Sequence, residues 1–160
     1  MNHGIFISLG SNLGDRKTNL RNARLALARL GRIISLSPVY QTDAWGKTDQ
    51  PSFYNQVIEM ASDLPPHEFL SKTSAIEYDL GRVRDEKWGP RIIDIDILFF
   101  GDSIVNDQNL VLPHPGIYAR KFVLAPLADI APDFVHPTLN KTVMTLLEEC
   151  DDNLNVESVR

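Results

Sequence analysis

The chain has 160 residues, with 16 Lys and Arg against 21 Asp and Glu, a net charge of -5, and 43% hydrophobic residues. That content suffices for one apolar core without disulfides or a structural metal, and the acidic balance argues against a nucleic-acid binder. Cys150 is the single cysteine, which excludes an internal disulfide and a thiolate zinc site and suits a reducing cytoplasm.

The N-terminal sequence MNHGIFISLGSN lacks the basic region and long apolar stretch of a signal peptide. Residues 3–9 are an apolar run of strand length. Over 15–30, Leu20, Ala23, Leu27 and Leu30 recur at helical spacing, with Asp15 suited to the helix N-terminus. Residues 33–41 alternate as a strand. In 53–61, Phe53, Asn55, Val57 and Glu59 face one way and Tyr54, Gln56, Ile58 and Met60 the other. Residues 66–80 read as a helix, with Pro66 in its first turn, an apolar face of Phe69, Ile76 and Leu80, and Gly81 as the stop.

Residues 92–100 form the next strand. This apolar run is too short to span a bilayer and is broken by Asp94 and Asp96. The order β-α-β-β-α-β predicts a ferredoxin-like α+β fold, an antiparallel sheet with helices packed on it. A hairpin follows Gly101, then a helix near 122–130 and a last one near 142–149. The expectation is one soluble, cytoplasmic domain over residues 1–160.

Two connections, 42–52 and 81–91, run to about eleven residues where two to six are usual. Long loops in compact domains commonly carry function, though tolerated insertions are the plainer reading. The strand that follows the second loop holds the sharpest feature, Asp94-Ile95-Asp96. Alternate strand residues share a face, so the two carboxylates project together about 6.6 Å apart while Ile93, Ile95 and Ile97 face the core. Such a pair attracts a hard dication such as Mg²⁺, or simply forms a wet acidic face. Arg82, Arg84, Lys87 and Arg91 precede it, and metal-holding carboxylates beside arginines suit a metal–polyphosphate complex. Trp88, Gly89 and Pro90 interrupt those charges, which speaks against a merely solvated loop.

Trp45, Phe53 and Phe122 offer aromatic surface for a flat ring, and Asn55 offers a donor and an acceptor for a ring edge. Taken singly, the two phenylalanines are equally at home in a core. Gly10-Ser11-Asn12-Leu13-Gly14 has neither the P-loop ending nor the dinucleotide glycine spacing, and reads mainly as a turn and helix start. His114, in LPHP, suits either a phosphate donor or a structural turn.

The segments GSNLGDR (10–16), YQTDAWG (40–46), DQPSFYNQV (49–57), GRVR (81–84), WGPRIIDIDIL (88–98), LPHP (112–115) and RKFVLAPLADIAP (120–132) resemble the bacterial monofunctional 6-hydroxymethyl-7,8-dihydropterin pyrophosphokinases. The resemblance runs from about residue 4 to about residue 137. It implies transfer of diphosphate from ATP to the hydroxyl of 6-hydroxymethyl-7,8-dihydropterin, with AMP leaving, in folate biosynthesis. With the acidic charge and the short apolar run, the expectation is a monomer without nucleic-acid or membrane partners.

By the same resemblance, Asp94 and Asp96 hold two Mg²⁺ ions between the ATP phosphates. Arg82 and Arg91 serve the transfer step, and Arg84 belongs to the same mobile catalytic loop. His114 and Arg120 lie near the ATP phosphates, and Glu77 lines the ATP site. Phe53 and Phe122 sandwich the pterin, Asn55 and the Thr42 backbone read its edge, and Trp88 closes over the substrates. Asp43, Trp45, Asn109 and a catalytic loop one residue shorter are read as departures from some relatives. A kinase releasing ADP is the nearest rival. An RNA-recognition domain shares the element order, but its aromatic RNP1 run is replaced here by the acidic, aliphatic IIDIDILFF.

Overall fold

A computed structural model describes residues 1–43, 49–81 and 90–159, and in it the apolar N-terminal run becomes β1 (Asn2–Ser11). Side chains alternate across a strand, so Ile5, Ile7 and Leu9 enter one apolar cluster while Phe6 enters another on the opposite face. β1 pairs antiparallel with β4 (Phe53–Ser62) on one side and with β5 (Asp94–Phe100) on the other. Between β1 and β4 lie α1 (Arg16–Leu27), β2 (Arg32–Leu36) and β3 (Tyr40–Thr42), and α2 (Pro66–Asp79) leads to β5. The sheet runs β5-β1-β4-β3-β8, with β2 also on β4, so the antiparallel α+β sheet expected from the element order is present.

Asp15 caps α1 by accepting the Thr18 N–H at 3.1 Å. Leu20, Ala23 and Leu27 then lie buried against the Ile5, Ile7 and Leu9 face. α2 starts on Pro66, buries Phe69 on the same face, and gives way to Gly81 at φ +96°, a conformation open mainly to glycine. Each fully buried Leu or Phe contributes about 1.5–3 kcal/mol. The opposite face packs Phe6, Val57, Leu98 and Phe99 against α3 (Lys121–Ile130) and α4 (Val143–Glu149). Between β5 and α3 come the hairpin of β6 (Val105–Asn106) and β7 (Val111–Leu112) and a 3₁₀ turn, Ile117–Ala119.

Two features differ from the sequence reading. The single strand expected over 33–41 is two, β2 and β3, because Pro38 has no N–H to give and the ladder on β4 is interrupted there. At the interruption Ser37 does the pairing: its N–H donates to the Val57 carbonyl and its Oγ accepts the Val57 N–H, both at 2.9 Å. The second difference is β8 (Val156–Ser158), which adds to β3 beyond the last expected helix.

Candidate active site

The site lies where the face covered by α3 and α4 changes from apolar to polar. Across the sheet, Gly10 of β1 is opposite Asn55 of β4 and opposite Asp94 of β5. Directly opposed residues share a face, and neighbouring strands lie about 4.8 Å apart. Asn55 and Asp94 therefore stand about 10 Å apart with only a glycine between them. One pair further along, Ser8 is opposite Val57 and Asp96. A Cβ on Gly10 would lie 2.8 Å from Asn55 Oδ1 and 3.6 Å from Phe53 Cδ1. The missing side chain lets the Asn55 amide oxygen and the Phe53 ring edge come close over the Gly10 backbone, which forms a floor between them.

The amide is fixed. Asn55 Nδ2 donates to Thr42 Oγ1 at 2.6 Å, and both residues are buried. This leaves Asn55 Oδ1 over the Gly10 floor. Phe53 is opposite Thr42 and half-buried. Phe122, in the first turn of α3, is also half-buried and packs on the cluster that holds Val57.

On the other side of the floor, Asp94 is half-buried and Asp96 exposed, while Ile93, Ile95 and Ile97 are buried on the opposite face. The alternation read from the sequence is thus present. The Arg91 side chain is 10% exposed, and its Nε stands 3.6 Å from Asp94 Oδ1. β5 is a terminal strand of the sheet, so alternate N–H groups along it need a partner outside the ladder. Glu77, buried on α2, supplies one: its Oε2 accepts the Ile95 N–H at 2.7 Å. The buried carboxylate so fixes the backbone between the two aspartates.

Among the described residues, no group of three or more His, Cys, Asp or Glu side chains could hold a metal ion. A pair of carboxylates fits Mg²⁺, which retains several waters and is commonly bound by one or two carboxylates plus substrate phosphates.

His114 is tied to the same strand by its N–H, which donates to the Leu98 carbonyl at 2.9 Å. Its Nδ1 accepts the Gly116 N–H at 3.1 Å, so a neutral ring carries its proton on Nε2. Burial first, and the positive charge of Arg120 second, lower its pKa to about 4. Arg120 comes close to the turn, since a Cβ on Gly116 would lie 2.9 Å from Arg120 Nε.

The structure therefore brings together Thr42, Phe53 and Asn55 on one side, and Glu77, Arg91, Asp94 and Asp96 on the other. His114 is joined to the same end strand, and Arg120 lies beside its turn. Arg82, Arg84 and Trp88, like Trp45 and Lys87, lie outside the described residues. Sequence reasoning missed Gly10 as the floor, and it missed Asn12, a buried side chain bonded to both long connections. Pairing register reveals the first, and nothing in the local sequence points to the partners of the second.

The family model described as 7,8-dihydro-6-hydroxymethylpterin-pyrophosphokinase matches residues 6–132. A 2-amino-4-hydroxy-6-hydroxymethyldihydropteridine pyrophosphokinase of Methylorubrum extorquens is 46% identical over 132 residues, covering 81% of this chain and 84% of the relative. A folic acid synthesis protein of Dictyostelium discoideum is 38% identical over 158 residues, covering 99% of this chain but only 24% of the longer protein. The crystal structure of wild-type Plasmodium falciparum HPPK-DHPS with STZ-DHP superposes with a TM-score of 0.75 at 18% identity. That match covers 93% of this chain and 43% of the other, and at such identity it shows the fold alone.

The geometry at His114 predicts a ring that stays neutral in the free protein across the physiological range. A folded pKa near 4 against an unfolded value near 6.5 means the unfolded chain takes up the proton first. The stability contributed by the neutral ring is complete above pH 6.5 and is lost as pH falls through about 4. In an NMR titration the His114 ring resonances should stay flat from pH 8 to 5. A midpoint near 6.5 would contradict the burial and the Arg120 contact together.

Proposed function

The chain belongs to the 7,8-dihydro-6-hydroxymethylpterin-pyrophosphokinase family, and from that premise we propose that it transfers diphosphate from ATP to the hydroxyl of 6-hydroxymethyl-7,8-dihydropterin in folate biosynthesis. The observation that carries the proposal is the row Asn55–Gly10–Asp94. It puts a fixed amide and a carboxylate on one floor, about 10 Å apart, which supports a heterocycle edge at the first and a phosphate-bound cation at the second. The pterin lies over Gly10 between Phe53 and Phe122, with Asn55 and the Thr42 backbone at its edge. ATP lies toward β5 and the His114 turn.

Asp94 and Asp96 would hold magnesium, as two ions, which would supply positive charge to offset that of the ATP phosphates. The hydroxymethyl oxygen attacks the β-phosphorus in line with the bond to the α-bridging oxygen, and AMP leaves. Positioning and charge compensation suffice for such a transfer, and no side chain need act as a covalent nucleophile. Arg91, beside Asp94, takes charge on the transferring group together with Arg82. Arg84, His114 through its Nε2–H, and Arg120 hold the remaining phosphate oxygens. Glu77 lines the ATP side and holds the Ile95 backbone, and Trp88 closes over both substrates. The reading includes a monomeric, cytoplasmic protein folded as one domain over 1–160, without nucleic-acid or membrane partners. Among the described residues, no helix is long and apolar enough to cross a membrane.

Two sets of variants test this. Asp94→Asn and Asp96→Asn each keep a cooperative fold, since neither removes core volume, but lose about 10²–10³-fold in turnover, the cost of deleting one preorganised electrostatic contact. Near-wild-type turnover at limiting Mg²⁺ in either would contradict the metal assignment. Gly10→Ala places a methyl against Asn55 Oδ1 and lowers pterin affinity about tenfold, roughly 1.4 kcal/mol, while leaving ATP affinity unchanged. Calorimetric titration of each ligand separates these outcomes. Equal loss of both would mean that Gly10 supports the sheet and not the pterin floor.

A further inference from the structure

Asn12 follows β1 immediately and is 2% exposed. Its backbone N–H donates to the Arg91 carbonyl at 3.0 Å, and its Oδ1 accepts the Arg91 N–H at 2.7 Å. Its Nδ2 donates to Gln50 Oε1 and to the Pro51 carbonyl, each at 2.9 Å. Both amide hydrogens and the amide oxygen are thus engaged. Their partners lie at the ends of the two long connections: Gln50 and Pro51 shortly before β4, and Arg91 shortly before β5. The first residue of α1 strengthens one arm. Arg16 Nη1 donates to Ser52 O at 2.9 Å and Ser52 Oγ at 3.0 Å, and the guanidinium lies 3.9 Å over the Tyr54 ring.

Serine, threonine or aspartate would cap a turn as well as asparagine does. None of them offers two donors and an acceptor on one rigid plane, which is what joining these two strand entries requires. We propose that Asn12 is a positioning residue for the transfer reaction: it clasps the entry to β4, which carries Phe53 and Asn55, to the backbone of Arg91. The inference rests on the reading of those residues given above. Asn12 touches neither substrate. It acts by holding the Arg91 guanidinium and the pterin ring in one frame, where a misplacement of about 1 Å can cost 10²-fold in rate.

The test is a double-mutant cycle between Asn12→Ala and Arg91→Ala, read as kcat under saturating substrates, with thermal unfolding measured alongside. Asn12→Ala is expected to lower kcat about 10²-fold in the wild-type background and little further once Arg91 is already alanine. Equal losses in both backgrounds would overturn the clasp, because a residue that merely stabilises the fold does not distinguish them. Asn12→Asp is the second variant should the alanine fail to fold. It keeps the acceptor for the Arg91 N–H and turns the two donated bonds into oxygen–oxygen contacts, so pterin KM should rise more than kcat falls. An unchanged pterin KM in it overturns the β4 arm. Amide hydrogen exchange at Arg91 reads the other arm without turnover. Faster exchange in Asn12→Ala supports the clasp, and wild-type protection overturns it. A wild-type protein that forms no pterin diphosphate would refute the reaction instead, leaving the exchange result to decide the clasp.

Discussion

Gly10 pairs with Asn55 across one ladder and with Asp94 across the other, and both ladders must hold their register for the site to exist. A slip of one residue in either would send an entire row of side chains to the opposite face. Asn55 or Asp94 would then enter the cluster of Ile5, Ile7, Leu9 and Ile95, where an amide or carboxylate would lack partners. The apolar rows on both faces enforce the alignment: Ile95 and Ile97 on one, Phe6, Val57 and Leu98 on the other. Core packing thus specifies the chemistry at the end of the sheet, where the apolar rows run out.

The polar groups at that end are individually fixed, each by a partner from another element. Thr42 holds the amide of Asn55, Glu77 holds the backbone between Asp94 and Asp96, and Asn12 holds the backbone of Arg91. His114 hangs from Leu98, on the same strand as the aspartates. All these bonds are buried or partly so, where an unmade hydrogen bond costs about 1–3 kcal/mol. Asn55 and the backbone at Arg91 and Ile95 therefore have few alternative positions before any ligand arrives, which lowers the ordering cost of binding.

Much of this was legible from local pattern. The alternation Ile93–Asp94–Ile95–Asp96–Ile97 gives both the buried and the acidic face, and Asp15, Pro66 and Gly81 mark helix ends by backbone chemistry that acts within a few residues. What stayed hidden depends on partners far along the chain. Asn12 and Arg91 are 79 residues apart, so a motif that reads as a helix start conceals a clasp. Glu77, which the resemblance puts at the ATP site, has its observed bond to the Ile95 backbone, visible only once α2 lies beside β5. The role of Gly10 follows from register alone. Pro38 was in plain view, yet the apolar alternation on both sides of it masked the break between β2 and β3. β8 is short, and pairing with β3 rather than its own pattern makes it a strand.

The central claim is that an acceptor held over Gly10 meets the β-phosphorus of ATP, so that the phosphates move as a diphosphate and AMP leaves. Anion-exchange chromatography after incubating the protein with ATP, Mg²⁺ and 6-hydroxymethyl-7,8-dihydropterin tests it most directly. The account predicts AMP and pterin diphosphate in equal amounts, with no pterin-dependent ADP. Pterin-dependent ADP would contradict it, since the acceptor would then be aligned with the γ-phosphorus.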